Sequence, residues 1–261
     1  MIAKRIRPGI VFYNILLLFC FTQPWSWAGD WDLNLVAAGR SLPFGGAFWG
    51  ESGYGHILWG SRENESGGTG WRYGYLRPFA RFQTSVVVTR ADVGIDLFPI
   101  SLLGMTVGVA DSQRFLTKAH TGDCVTTTCG GNLARAYIRA KGVIGFGPVF
   151  ASLMSRIDFM SHPDKTKPFT EEGTVIAGNA GGDHSYSNEF AGGFRFWEVW
   201  SLGLRYSSSK MLGSGAKNNQ EDLFVRWKKE PFTVFAGTGF YTSTTAARSF
   251  TVFALFQWTI W

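Results

Sequence analysis

The side chains with the most chemistry to offer are basic ones set singly into alternating stretches. Arg81, Arg135, Arg139, Lys141, Arg156, Arg195, Arg205 and Arg226 all fall on the mixed, less apolar phase of their segments. A guanidinium stays charged at any working pH, so a set sharing one face is a permanent positive field. Asp96, Asp158 and Asp222 have the same phase. Three carboxylates cannot cancel eight cations, and low-dielectric walls around the excess concentrate anions. The competing expectation is a closed interior in which Arg–Asp pairs brace facing walls. Phe150, Met154, Tyr137 and Trp197 share the inward phase and could fill it.

Nucleophile and metal chemistry have less support. His184-Ser-Tyr-Ser-Asn188 is similar to the His-x-Ser-Asn run of lipid A 3-O-deacylases. That family needs His and Ser two apart on one strand face, so that imidazole can take the hydroxyl proton. Here the spacings are one and three, which in a strand are opposite faces. His56, His120 and His162 complete no catalytic or metal-ligating pattern with their neighbours and read as rim or loop residues. The acidic runs Arg62-Glu-Asn-Glu65 and Thr170-Glu-Glu172 could hold a cation but read as solvated outer loops. No catalytic set, metal or cofactor is expected. Cys124 and Cys129 lie in a Gly/Thr-rich stretch and are expected to close an outer loop as a disulfide in an oxidising compartment.

The elements that must position these residues are strands. Only 17% of the 261 residues are charged, while 16% are aromatic and 33 are Gly. That composition favours many strands and tight turns. In the last segment Phe250, Val252, Ala254, Phe256, Trp258 and Ile260 form one apolar face. Leu202, Leu204 and Tyr206 repeat the pattern, as do Leu223, Val225 and Trp227. Segments of about ten residues with large apolar groups on one face are the signature of strands that cross a membrane in a closed barrel.

Twelve strands are predicted near 54–61, 70–77, 79–88, 91–98, 102–113, 133–146, 149–160, 188–198, 200–211, 219–229, 231–242 and 249–261. The count falls to ten if 70–98 holds one hairpin fewer. Arg77-Pro78 reads as a short turn, Thr89-Arg90-Ala91-Asp92 as an outer one, and 62–69, 114–132 and 161–187 as long outer loops. Residues 29–52 read as an N-terminal extension, a lumen plug or part of the first strand, with the barrel at 53–261.

Residues 1–28 have the pattern of a signal peptide: Lys4, Arg5 and Arg7, an apolar run from Ile10 to Phe21, then Ser26-Trp-Ala28 before the cleavage point. Cleavage removes three positive charges and no negative ones, so the formal charge falls from +6 to +3. Basicity therefore gives no reason to expect nucleic acid as a partner.

The signal, the alternation and the closing run Phe250-Thr-Val-Phe-Ala-Leu-Phe-Gln-Trp-Thr-Ile-Trp261 together resemble a bacterial outer-membrane β-barrel protein. That resemblance is one of class and implies an outer-membrane location, with membrane lipid, lipopolysaccharide and the barrel assembly machinery as partners. By fold and charge the chain is also similar to small twelve-stranded channels for acidic oligosaccharides. The expected function is a passive channel for small anionic solutes. The alternatives are a lipid-modifying hydrolase of the deacylase kind and a structural or adhesive barrel working through its outer loops.

Overall fold

A computed structural model describes residues 29–41, 45–60, 73–85, 87–115, 127–171, 174, 176–244 and 247–260. The signal segment, His120 and Cys124 lie outside them. The chain is all-β. Twelve antiparallel strands close into a barrel: β1 Gly29–Arg40, β2 Gly45–Gly60, β3 Tyr73–Thr84, β4 Val88–Ile100, β5 Leu103–Arg114, β6 Gly131–Phe146, β7 Val149–Ser161, β10 Gly182–Arg195, β11 Trp200–Met211, β12 Lys217–Lys229, β13 Phe232–Ser243 and β14 Ser249–Ile260. Between β7 and β10 the chain makes a two-stranded sheet of its own, β8 Phe169–Thr170 with β9 Ala177–Gly178. The wall closes where β1 pairs with β14, from Leu33 opposite Ile260 to Arg40 opposite Phe253.

The exterior is the apolar surface that the alternation predicts. Val107, Val109, Ile138, Leu153, Phe190, Leu204, Leu223, Val252 and Phe256 are all exposed on it. A band of this extent belongs against hydrocarbon rather than water. Closure also leaves no strand edge unpaired, which a wall in lipid requires.

The expected count of twelve is met by different strands. The segments expected at 70–77 and 79–88 are one strand, β3, and Arg77-Pro78 is not a turn. Pro78 points outward, and the β2–β3 register passes from Gly53–Phe79 to His56–Leu76 without a partner for it. The ladder lapses where proline has no N–H to give. Thr89 to Asp92 are not a turn either; they lie within β4. Of residues 29–52, 29–40 and 45–52 stand in the wall, as β1 and the first half of β2.

That extra strand moves the first long connection to the other end and leaves the later ones where they were expected. The short connections 101–102, 147–148, 196–199 and 230–231 share one end with residues 29 and 260. The segment 61–72, expected outside, joins β2 to β3 at this same end. The opposite end carries 115–130, 162–181, 212–216 and 244–248. Short turns mark the inner, periplasmic end of such barrels and longer loops the outer end.

Candidate functional site

Within the wall, the eleven residues expected to line the lumen all sit in the register opposite the lipid-facing one. Arg135, Asp96, Asp158 and Asp222 are buried there. Arg81, Arg139, Lys141, Arg156, Arg205 and Arg226 are partly exposed on the same face, and Arg195 is exposed at its inner end. Trp197 is different: it stands 70% exposed in the turn after β10 and fills nothing.

The charge balance differs from eight against three because the wall supplies acids that the linear pattern hid. On the β1–β4 side Arg77 is a hub. Its guanidinium donates to Asp32 (2.7 Å from Nε), Glu51 (2.8 Å) and Asp96 (3.1 Å). Arg81 Nε donates to the other Glu51 oxygen at 2.7 Å, and Arg90 forks onto Asp92 at 2.5 and 2.9 Å. Arg139 stands 3.6 Å from Asp96 and shares Thr106 with it, donating to the hydroxyl that itself donates to Asp96. Across the lumen Arg156 holds Asp158 at 2.5 Å and Arg205 holds Asp222 at 2.6 Å. Asp32 and Glu51 went unseen because their segment reads as an extension. Arg77, Arg90 and Asp92 went unseen because theirs reads as turns. The signal in β1 is the alternation Asp32-x-Asn34-x-Val36 against Trp31, Leu33 and Leu35.

Of the eight basic residues expected inward, Lys141, Arg195 and Arg226 make no ion pair among the described residues. All three lie toward the inner end. Lys141 stands over the Phe98 ring at 4.4 Å and Arg226 over Phe150 at 5.2 Å. Arg226 has one long bond, to the Ser201 hydroxyl at 3.4 Å, and its Nε has no partner. Arg195, Arg226, Ser201 and Lys228 line a cavity of about 230 Å³ at the inner mouth, with Glu198 and Glu230 also on its border. A cation stacked on a ring keeps its N–H groups available to an anion, whereas one in a carboxylate fork does not.

The aromatic side chains that face inward leave room beside these charges. Phe79, Tyr137, Phe150, Phe224 and Phe253 each sit directly across the ladder from a glycine: Gly94, Gly108, Gly193, Gly203 and Gly237. A Cβ on any of those glycines would come within 2.5–2.9 Å of the facing ring. The rings therefore lie over the neighbouring backbone instead of reaching across the lumen.

The outer mouth is built differently. The chain from 162 to 181 does not stay in solvent as a loop; its described parts turn in over the opening. Phe169 and Ile176 pack with Leu133 of β6, Met160 of β7 and Met211 of β11 in a buried apolar cluster. Glu171, expected in a solvated run, is buried and accepts from both terminal nitrogens of Arg135 at 3.2 Å. Arg114 donates to the carbonyl of Thr170, while Asn218 and Tyr241 donate to that of Thr174 at 2.8 and 3.1 Å. His162, expected as a plain loop residue, is buried at the root of this strap and stacks on Phe169. No sequence periodicity marks this segment, which is why it reads as a loop.

The residues considered for hydrolysis are not brought together. His184 points outward against Phe159, while Ser185 and Ser187 take the inward register. Cys129 is buried at the foot of the 115–130 connection.

No family model and no curated protein matches the chain. Solved structures similar to it include the COG4313 outer membrane channel from Pseudomonas putida F1, at 10% identity and TM-score 0.48, over 92% of this chain and 100% of that one. The NanC porin is similar at 6% identity and TM-score 0.44, over 87% and 98%. The KdgM porin in complex with disordered oligogalacturonate is similar at 9% and 0.42, over 88% and 99%. These likenesses concern the barrel fold.

Proposed function

We propose that the protein is an outer-membrane channel that passes small anionic solutes through a basic lumen. The observation that carries this reading is the contrast among the inward cations. Most are bound by carboxylates, but Lys141, Arg195 and Arg226 are held on aromatic faces or left open around the inner cavity. Fixed positive charge in a low-dielectric passage raises local anion concentration and lowers the barrier to anion entry. The five aromatic–glycine pairs support an unfilled lumen, because they keep large rings out of the path.

The strap lies across the outer mouth, bonded to the wall on both sides. In this reading solute traffic depends on the strap yielding. Planar-bilayer recording of the purified protein in a salt gradient tests the proposal. The expected result is an anion-selective reversal potential. A cation-selective one, or no conductance even after the strap is cut out, refutes it.

The same reading includes export with cleavage after Ala28, contact with lipopolysaccharide, insertion by the barrel assembly machinery, and a Cys124–Cys129 disulfide. The mass of the mature protein decides the first. Thiol labelling without reductant decides the last, since ready labelling of both cysteines ends that claim.

A further inference from the structure

The geometry points to a solute-binding site at the outer mouth that the protein's own strap now occupies. This deepens the channel reading and rests on it. Four wall donors converge on one short piece of chain: Arg114 and Arg135 from β5 and β6, Asn218 and Tyr241 from β12 and β13. Going round the wall, β5 and β13 are six strands apart in a ring of twelve, so Arg114 and Tyr241 face each other across the mouth. Their acceptors are the Thr170 carbonyl, the Glu171 carboxylate and the Thr174 carbonyl.

This is a ligand's pattern of groups: one carboxylate on a guanidinium, flanked by neutral oxygens on an amide, a phenol and a second guanidinium. Asp158 stands 3.7 Å from Arg135, but Arg156 already holds that carboxylate at 2.5 Å. The other Glu171 oxygen accepts from the Thr174 backbone N–H and hydroxyl at 2.6 and 2.7 Å, which folds the strap into the shape that fits. The solute class is therefore a small carboxylate carrying hydroxyl or carbonyl oxygens. It enters by displacing Glu171 from Arg135, and the displaced strap opens the mouth. Binding and opening are then one equilibrium, and the apparent affinity is the intrinsic one reduced by the fraction of protein with the strap released.

Gluconate is the probe, and sorbitol, which has hydroxyls and no carboxylate, is its control. Calorimetric titration of the full protein in detergent should show gluconate binding that sorbitol does not reproduce. Glu171→Gln should bind gluconate about tenfold more tightly, because the internal competitor has lost its charge. Arg135→Gln should abolish binding. Hydrogen exchange on the unaltered protein is the second arm: gluconate should speed exchange of backbone amides in 169–178. Equal gluconate affinity in Glu171→Gln and the parent, binding that survives Arg135→Gln, or exchange in 169–178 that gluconate leaves unchanged or slows would each overturn the site. Should Glu171→Gln not fold, the exchange arm decides alone. None of these reads conductance, so a barrel that binds gluconate but never conducts would refute the channel and leave the site standing.

Discussion

The two mouths of this barrel treat the same side chain in opposite ways. At the outer mouth Arg114 and Arg135 are bound by acceptors on the strap, and the opening is filled by an apolar cluster. At the inner mouth Arg195 and Arg226 border an open cavity, and Arg226 rests on a phenyl ring. Arginine alone therefore decides nothing about a passage. What decides is whether the chain also supplies a carboxylate or carbonyl to the guanidinium. An arginine given such a partner becomes part of the frame, and one given a ring remains available to solute.

The largest effect that separates the mouths should come from Phe169→Ala. Phe169 is completely buried, and truncating such a ring costs about 3–5 kcal/mol. The loss should fall on strap docking, so exchange in 169–178 rises sharply while the inner cavity and ion selectivity keep their behaviour. Equal loosening at both ends would show that the mouths are not independent.

Arg77→Met should cost a similar amount, about 3–5 kcal/mol, because it strands Asp32, Glu51 and Asp96 without their shared partner. Arg77 belongs to neither mouth but to the wall between them. The midpoint of the boiling-dependent gel shift should fall, and both ends should loosen together. A variant that melts like the parent would mean that the hub contributes nothing net.

Replacing Arg195 and Arg226 together by Gln should leave stability nearly unchanged, since neither has an ion pair to lose, and should move the reversal potential toward that of an unselective pore. Unchanged anion preference would shift the selective step to the outer mouth. A smaller effect is expected from Gly203→Ala. The new methyl meets the Phe224 ring and the Gly192 carbonyl, so the ring must tip into the lumen, the β10–β11 backbone must ease apart locally and conductance should drop, at a stability cost of about 1–3 kcal/mol. Unaltered conductance would place the ring outside the path.

The smallest effect concerns pH. Asp164 lies in the strap's first half, and hydrogen bonds from the Thr166 hydroxyl and backbone N–H, then from the Thr128 hydroxyl, hold its carboxyl down at about 2. A lowered value means that ionised Asp164 supports the fold above the ordinary carboxylate range, near about 4. That support is lost as pH falls toward 2. Strap exchange should therefore rise on acidification through this window, and Asp164→Asn should flatten the rise.

Legibility from sequence followed periodicity. The later strands were readable because Leu202, Leu204 and Tyr206, or Phe250 to Ile260, repeat every second residue in the face they give to lipid. β3 was split in two because proline normally breaks a strand, and a local lapse in the β2–β3 ladder accommodates Pro78. β1 reads ambiguously, as extension, plug or part of the first strand, because Gly and Trp are frequent in 29–52 and blur its alternation. Inward direction is readable for the arginines that fall inside recognised strands, but pairing is not. Arg77 meets Asp32 only after β1 and β3 have both been laid beside β2. The strap lay furthest beyond reach, because Glu171 finds Arg135 across 36 residues and no periodic signal connects them.

The aromatic–glycine pairs also bear on how the chain finds its register during assembly. One occurs in each of the five hairpins β3–β4, β5–β6, β7–β10, β11–β12 and β13–β14. A slip of two residues preserves the inward and outward faces, so hydrophobicity alone would not reject it. The rings would. Slipped either way, Phe79 would meet Asp92 or Asp96, Phe224 would meet Ser201 or Arg205, and Phe150 would meet Ala191 or Arg195. Each of these carries a Cβ where the ring has to lie, as do Thr106 and Ala110 opposite a slipped Tyr137, so four hairpins hold a check on alignment in both directions; in β13–β14, where a slipped Phe253 would meet Phe235 or Gly239, the check works one way only. The seam between β1 and β14 carries a polar version instead: Asn34 accepts from Thr259 at 2.8 Å and from Gln257 at 3.2 Å. Five hairpins keyed by shape and one seam keyed by hydrogen bonds divide the work of alignment around the closed wall.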